Sequence, residues 1–244
     1  MFKLLMKTIL KIMNKFLCNF NYKIDYANFL EHKSLDKDFS IMFSKQEKFG
    51  WTSAGPKIHR LFKLYEILKT SKKVKGQILE FGCYKGSSAL IILETLKILK
   101  LKKKLFLYDS FNGLVNITSK DKLKKNNNFF FKTGDFSASI NELEKNLINY
   151  KNKFEIIQGT LPQDCKLIPK SKLSFIHIDL DLYLPTKIAL EMTFKNLNKG
   201  GFVVFDDYGC LETPGTKIAV DEYVKNNNLD LVTLPYGQAF IQKN

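Results

Sequence analysis

Gln77-Ile78-Leu79-Glu80-Phe81-Gly82-Cys83-Tyr84-Lys85-Gly86-Ser87-Ser88 decides the fold. Its first six residues read as a short strand, 77–82, and two glycines four residues apart turn the chain into a helix over 87–99 that starts on paired serines. The rhythm then repeats. Strands are expected at 105–109, 154–158, 173–179 and 202–205, with helices at 137–150, 185–197 and 217–225 between and after them. Two further strands, 229–234 and 239–242, are joined by Pro235-Tyr236-Gly237, close enough to pair as a hairpin. Strands alternating with helices predict an α/β protein with a doubly wound, Rossmann-like parallel sheet, closed by a C-terminal antiparallel hairpin.

In such sheets ligands sit beyond the carboxyl ends of the strands, so those ends are where chemistry is expected. After the first strand the glycine turn lets the backbone approach a ligand, and Ser87 and Ser88 expose the amides of a helix N-terminus. The dinucleotide fingerprint G-x-G-x-x-G and the P-loop are both absent. The second strand ends in Asp109-Ser110-Phe111, and an acid one βα unit after the glycine turn suits the paired hydroxyls of a ribose. Together these features point to an adenosine-containing cofactor.

The fourth strand ends in His177-Ile178-Asp179-Leu180-Asp181-Leu182-Tyr183 and the fifth in Phe205-Asp206-Asp207-Tyr208. Carboxylates gathered at a half-buried sheet edge are costly without a counter-cation. Asp179, Asp206 and Asp207 are therefore expected to converge on a hard cation, with Mg²⁺ the best match to an all-oxygen set. His177 shares the Asp179 face but is set back from the edge, which makes it the weaker candidate for a proton acceptor. Tyr183 and Tyr208 fit a pocket wall or simple packing equally well.

Outside this core the sequence is less informative. The chain has 244 residues, 45% hydrophobic and 26% charged, and no run reaches the ~20 uninterrupted apolar residues of a membrane-spanning helix. Its net charge of +15 invites a polyanion partner, yet Arg60 is the only arginine, and Asn126-Asn127-Asn128-Phe129-Phe130-Phe131 speaks for biased composition instead. No nucleic-acid partner is expected. Cys18, Cys83, Cys165 and Cys210 lack CxxC spacing and read as reduced thiols in a cytoplasmic protein.

Residues 1–70 are expected to form a helical extension or lid and residues 71–244 the catalytic domain. Lys3, Lys7, Lys11 and Lys15 put a basic stripe on an amphipathic helix over 1–20. That helix is compatible with packing on the body or on a twin subunit in a homodimer, with peripheral membrane contact, or with a loose leader. Gly50-Trp51-Thr52-Ser53-Ala54-Gly55-Pro56 breaks the chain before a helix over 56–68, and the long 112–135 segment reads as a mobile flap rich in lysine and phenylalanine.

Taken in order, Glu80 to Gly86, Asp109-Ser110-Phe111-Asn112-Gly113-Leu114, Gly159-Thr160-Leu161-Pro162, Asp179-Leu180-Asp181-Leu182-Tyr183 with Thr186, Gly200-Gly201, Asp206-Asp207-Tyr208-Gly209 and Ala219-Val220-Asp221-Glu222-Tyr223 resemble the macrocin O-methyltransferase family. The resemblance runs from Gln77 to the C-terminus; no motif matches before it. It implies a class I, S-adenosylmethionine- and Mg²⁺-dependent enzyme that methylates a sugar hydroxyl, in a capsule or glycan or in a natural product. It further implies a cofactor site of Glu80, Gly82, Cys83, Tyr84, Gly86, Ser87, Ser88, Asp109, Ser110, Phe111, Gly159, Thr160 and Asp179. The metal would be held by Asp179, Asp206 and Asp207, with Asp181 as general base. Two rival activities remain: a catechol-type O-methyltransferase, which would place a lysine just after the first metal aspartate, and a nucleic-acid methyltransferase. A non-catalytic scaffold on the same fold would have to explain why all four aspartates are present.

Overall fold

The computed structural model describes residues 36–49 and 56–244. The expectations for the helix over 1–20, Cys18 and Trp51 fall outside them. The described chain opens with α1 (Lys37–Ser44), a 3₁₀ turn (Lys45–Phe49) and α2 (Pro56–Thr70). Asp36 caps α1 by accepting from the Phe39 amide at 2.9 Å, and the same carboxylate accepts from the Tyr65 hydroxyl and from Lys69 on α2. Phe39, Met42 and Phe43 pack with Ile58, Leu61, Phe62 and Tyr65, and this cluster continues into Ile91. Leu64, Ile67 and Leu68 of α2 join the main core, so residues 36–70 share their apolar interior with the sheet.

The sheet follows as β1 (Gln77–Phe81), α3 (Ser87–Ile98), β2 (Leu105–Asp109), α4 (Ile140–Asn146), β3 (Phe154–Gln158), β4 (Leu173–Ile178), α5 (Tyr183–Thr193), β5 (Leu197–Phe205), α6 (Pro214–Asn227), β6 (Val232–Thr233) and β7 (Ala239–Gln242). Its order is β3-β2-β1-β4-β5-β7-β6. The first five strands of that order are parallel, and β7 pairs antiparallel with β5 and β6. Helices cover both faces, which is why β4 is buried at every position. The chain runs from β1 outward to β2 and β3, then returns to β4 on the other side. The resulting crevice lies between β1 and β4.

Register brings the strand ends level. Phe81 pairs with Ile178, and Ile178 with Phe205, so Gly82, Asp179 and Asp206 emerge side by side. The ladder extends one step further through Asp179 N to Phe81 O and Asp206 N to Ile178 O, both 3.0 Å. Several element ends differ from the sequence expectation, and four of them have a clear tertiary reason. Ser137 and Ala138 donate to Gly134 O and Phe111 O, which shortens α4. β5 begins at Leu197 because Gly200 and Gly201 pair with Lys243 across the edge. The edge strand β6 loses its first residues to the end of α6, where Asn228 turns left-handed (φ 48°) and Leu229 N returns to Val224 O. α5 starts two residues early, its Tyr183 amide capped by Asp121 at 2.7 Å.

Asp121 also belongs to the segment expected to be a mobile flap. Its second oxygen accepts from the Thr118 amide, while Lys120 pairs with Glu222 at 2.7 Å and Leu114 with Asp135. The segment is therefore tied to α5 and α6. No described helix is long and apolar enough to cross a membrane.

Gly82 is the tightest point of the crevice. It has φ +77°, and a Cβ there would lie 1.7 Å from the Asp179 carbonyl oxygen. Gly82→Ala is expected to cost upwards of ~3 kcal/mol or to prevent folding, since backbone must move to admit the methyl. Gly134→Ala, at φ +92° but with nothing within 4 Å, should cost only the ~1–2 kcal/mol of a left-handed alanine. Urea denaturation of both variants checks the contrast.

Candidate active site

A cavity of about 240 Å³ opens at the carboxyl ends of β1, β2, β3, β4 and β5. Of the expected cofactor residues, Gly82, Cys83, Tyr84, Ser87, Ser88, Asp109, Ser110, Gly159, Thr160 and Asp179 line it. Glu80, Gly86 and Phe111 do not. Glu80 is fully buried beneath the edge with Oε1 2.9 Å from His177 Nδ1. Gly86 turns left-handed (φ 92°) to start α3, and Phe111 packs in the core.

The Asp109 carboxylate is held flat by two backbone donors. Tyr84 N–H reaches Oδ2 and Phe111 N–H reaches Oδ1, each at 2.8 Å. Both donors have positive φ, 45° and 58°, so two strained turns are bridged through one side chain. Each oxygen keeps a lone pair for a further donor. Ser87 is held differently: its hydroxyl donates to Gln46 Oε1 at 2.7 Å, and Gln46 Nε2 returns a bond to the Ser87 carbonyl. Gln46 is completely buried, and no local motif marks it.

At the far wall, single oxygens of Asp179, Asp181 and Asp207 lie within 4.8 Å of one another. Unit charges ~4 Å apart repel by about 4 kcal/mol at an effective dielectric near 20, so three carboxylates here need protons or a cation. Burial, followed by the charges of Asp206, Asp207 and Asp181, pushes Asp179 well above the usual carboxylate range. Burial and Asp207 do the same to Asp181. Asp181 also adopts φ 59°, a left-handed turn that aspartate tolerates better than most residues.

Asp206 stands apart from this trio. Its Oδ1 accepts from Gln238 at 2.7 Å, and its Oδ2 accepts from Arg60 Nη1 at 2.8 Å. His177 Nε2 lies 3.7 Å away. Burial opposes its charge, but His177 and Arg60 outweigh burial and hold Asp206 well below the usual range. His177, fully buried, is pushed up to about 9: burial acts against its charge, and Asp206 and Glu80 overcome it. It does not line the cavity. Tyr183 and Tyr208 do not line it either; Tyr183 donates to Glu222 and Tyr208 to Asp221.

Arg60 is the residue that sequence reasoning passed over. It projects from α2 across the end of β5, with Nη1 also 3.0 Å from Asp207 Oδ1 and Nε donating to the Tyr236 carbonyl at 2.9 Å. A lone arginine in a lysine-rich chain was the available signal.

The donor set fits a divalent cation. It is all oxygen, and Asp207 Oδ2 is buried without a hydrogen-bond partner. It also fits an adenosine cofactor, with a rigid carboxylate after β2 and a glycine turn after β1.

The fold and this site define a class I methyltransferase of the kind that binds S-adenosylmethionine. The family model for macrocin-O-methyltransferase matches residues 11–234, and the chain belongs to that family of O-methyltransferases. The match begins well before Gln77, where the recognisable motifs start.

Mycinamicin III 3''-O-methyltransferase of Micromonospora griseorubida is 26% identical over 157 residues, which cover 62% of this chain and 61% of that protein's length. The 8-demethyl-8-(2,3-dimethoxy-alpha-L-rhamnosyl)-tetracenomycin-C 4'-O-methyltransferase of Streptomyces olivaceus is 24% identical over 207 residues, 82% of this chain and 78% of that one. Among solved structures, the O-methyltransferase NovP superposes with a TM-score of 0.65 at 24% identity, over 79% of this chain and 82% of NovP. The calicheamicin methyltransferase CalS11 superposes with a TM-score of 0.63 at 21% identity, over 76% and 79%. At these identities the structural matches establish the fold.

Asp109→Ala should cost about 1–3 kcal/mol by orphaning the Tyr84 and Phe111 amides. Asp109→Asn keeps one carbonyl acceptor and should cost roughly half as much. Denaturation midpoints read the difference, and equal midpoints for Asp109→Ala and the wild type would remove the bridging role.

Proposed function

We propose that the protein transfers the methyl group of S-adenosylmethionine to a sugar hydroxyl of a small-molecule or glycan acceptor, with Mg²⁺ at the aspartate cluster. The observation that carries this reading is the convergence of Asp179, Asp181 and Asp207, with Asp206 beside them, on the wall of the cavity whose other wall is the β1 glycine turn. The rhamnosyl group in one relative's name supports a sugar acceptor.

The cofactor would lie with its methionine part against Gly82 to Ser88 and its ribose on Asp109; Gly159 and Thr160 would border the adenine. Asp179, Asp206 and Asp207 would hold the cation, whose chemistry when bound is to orient neighbouring acceptor oxygens and lower the cost of the developing alkoxide. Asp181 then takes the hydroxyl proton. Its burial among other carboxylates raises its proton affinity, as a base for a weakly acidic alcohol requires. Orientation of acceptor oxygen and methyl within one small cavity supplies part of the acceleration. Phe136 lines the same cavity and meets Tyr84 and Phe131 edge-on, which gives the mouth an apolar rim for the flat face of a sugar or its aglycone.

The rival activities fare worse. Among the described residues no lysine lines the cavity, which speaks against a catechol-type lysine base. Arg60 is spent on Asp206 and Asp207 and is not free for phosphates, which weakens a nucleic-acid substrate. Free thiols at Cys83, Cys165 and Cys210 suit a cytoplasmic enzyme.

Asp181→Asn should lower turnover by about 10²–10⁴-fold while leaving S-adenosylhomocysteine affinity nearly unchanged. Methyl incorporation from labelled S-adenosylmethionine into a panel of glycosides, beside a calorimetric titration, reads both quantities. A strong chelator should also stop transfer and added Mg²⁺ restore it. Wild-type turnover in Asp181→Asn, or undiminished transfer in chelator, would contradict the assignment of base or metal respectively.

A further inference from the structure

Each oxygen of Asp206 already accepts one hydrogen bond, Oδ1 from Gln238 and Oδ2 from Arg60, and Asp207 Oδ1 accepts from the same guanidinium nitrogen. Only Asp207 Oδ2 is left over, buried and unpartnered. A divalent ion bound by Asp179, Asp206 and Asp207 together therefore meets an Asp206 that is already paired with a cation. We propose that Arg60 is the metal site's built-in counter-cation: it neutralises Asp206 and Asp207 while the ion is absent, the ion competes with it for these carboxylates, and Arg60 thereby sets the affinity of the site for metal. The inference rests on the metal-binding reading above.

Three observations carry it. First, the guanidinium is seated on every edge: Nη1 on the two aspartates, Nε on the Tyr236 carbonyl and Nη2 on Cys210 Sγ at 2.6 Å. Its side chain is only 20% exposed, so it is part of the wall and not a passing surface charge. Second, the planar fork spans two carboxylates and a carbonyl at once, which a lysine cannot do. Every other basic residue counted with it in the chain is lysine, and the one arginine stands here. Third, two cations held on one carboxylate oppose each other. A guanidinium and a divalent ion on the same carboxylate repel twice as strongly as two single charges, so each weakens the other's binding. Tyr236 O and Cys210 Sγ hold the guanidinium independently of the aspartates, and α2 keeps its apolar seat through Ile58, Leu61 and Phe62.

The test is a calorimetric titration of metal-free full-length protein with Mn²⁺, using wild type, Arg60→Gln and Arg60→Lys, alongside thermal melts with and without the ion. Arg60→Gln should bind Mn²⁺ about tenfold more tightly than wild type or better. Its metal-free form should melt lower, and its melting temperature should rise more on adding Mn²⁺. Arg60→Lys, which keeps the charge but loses the fork, should fall between them, and it carries the test alone if Arg60→Gln does not fold. Equal or weaker Mn²⁺ affinity in a folded variant, beside a wild type that does bind, overturns the role of Arg60 and leaves the metal site standing. Absence of Mn²⁺ binding in both wild type and variants overturns the metal reading, and this inference with it.

Discussion

Negative charge packed at the ends of β4 and β5 is the constraint on which the rest of the site depends. Asp179, Asp181, Asp206 and Asp207 leave adjacent strands at one level because the register aligns Phe81, Ile178 and Phe205. Repulsion at that spacing is worth several kcal/mol per pair, comparable to a large part of a domain's net stability. The fold answers with cations at two depths. His177 stands against Asp206 from below, Arg60 bridges Asp206 and Asp207 from the side, and Asp179, Asp181 and the free oxygen of Asp207 are left for an ion or for protons. The separation is chemical as well as spatial, since it leaves one carboxylate ionised under all ordinary conditions and two others with a raised affinity for protons.

The helices ahead of the sheet belong to this arrangement. Gln46 locks the serine that opens α3, and Arg60 reaches the opposite wall, so one short stretch of chain touches both the cofactor turn and the aspartates. His59 stacks on Tyr236 at 4.2 Å, and Arg60 bonds the same residue's carbonyl, which couples α2 to the turn between β6 and β7. A lid that merely covered the cavity would need none of these polar contacts. The family match also includes these helices, since it begins at residue 11.

Local patterns made the sheet legible. The strands over 105–109, 154–158 and 239–242 lie where the sequence put them, because short apolar runs between turn residues leave few alternatives. The glycine turn and the strand-terminal aspartates were legible for the same reason: their chemistry is carried by adjacent residues. What sequence could not show depends on contacts across long separations. Arg60 meets Asp206 from 146 positions away, and Gln46 meets Ser87 from 41. Glu80 was expected at the cofactor because it sits in the motif, yet strand alternation turns it under the edge toward His177. The shortened α4 and β6 likewise yield to hydrogen bonds made by the surrounding loops.

The overall charge of +15 has little part in this chemistry, which is organised around acids and one arginine. In the function proposed above, these acids hold a divalent cation beside the cofactor. Diffraction from crystals grown with Mn²⁺ and S-adenosylhomocysteine, recorded at the manganese absorption edge, tests it directly. One strong anomalous peak is expected, bounded by the carboxylates of Asp179 and Asp207 and next to the homocysteine sulfur; a fully occupied cofactor with no anomalous density at those aspartates would rule the metal site out.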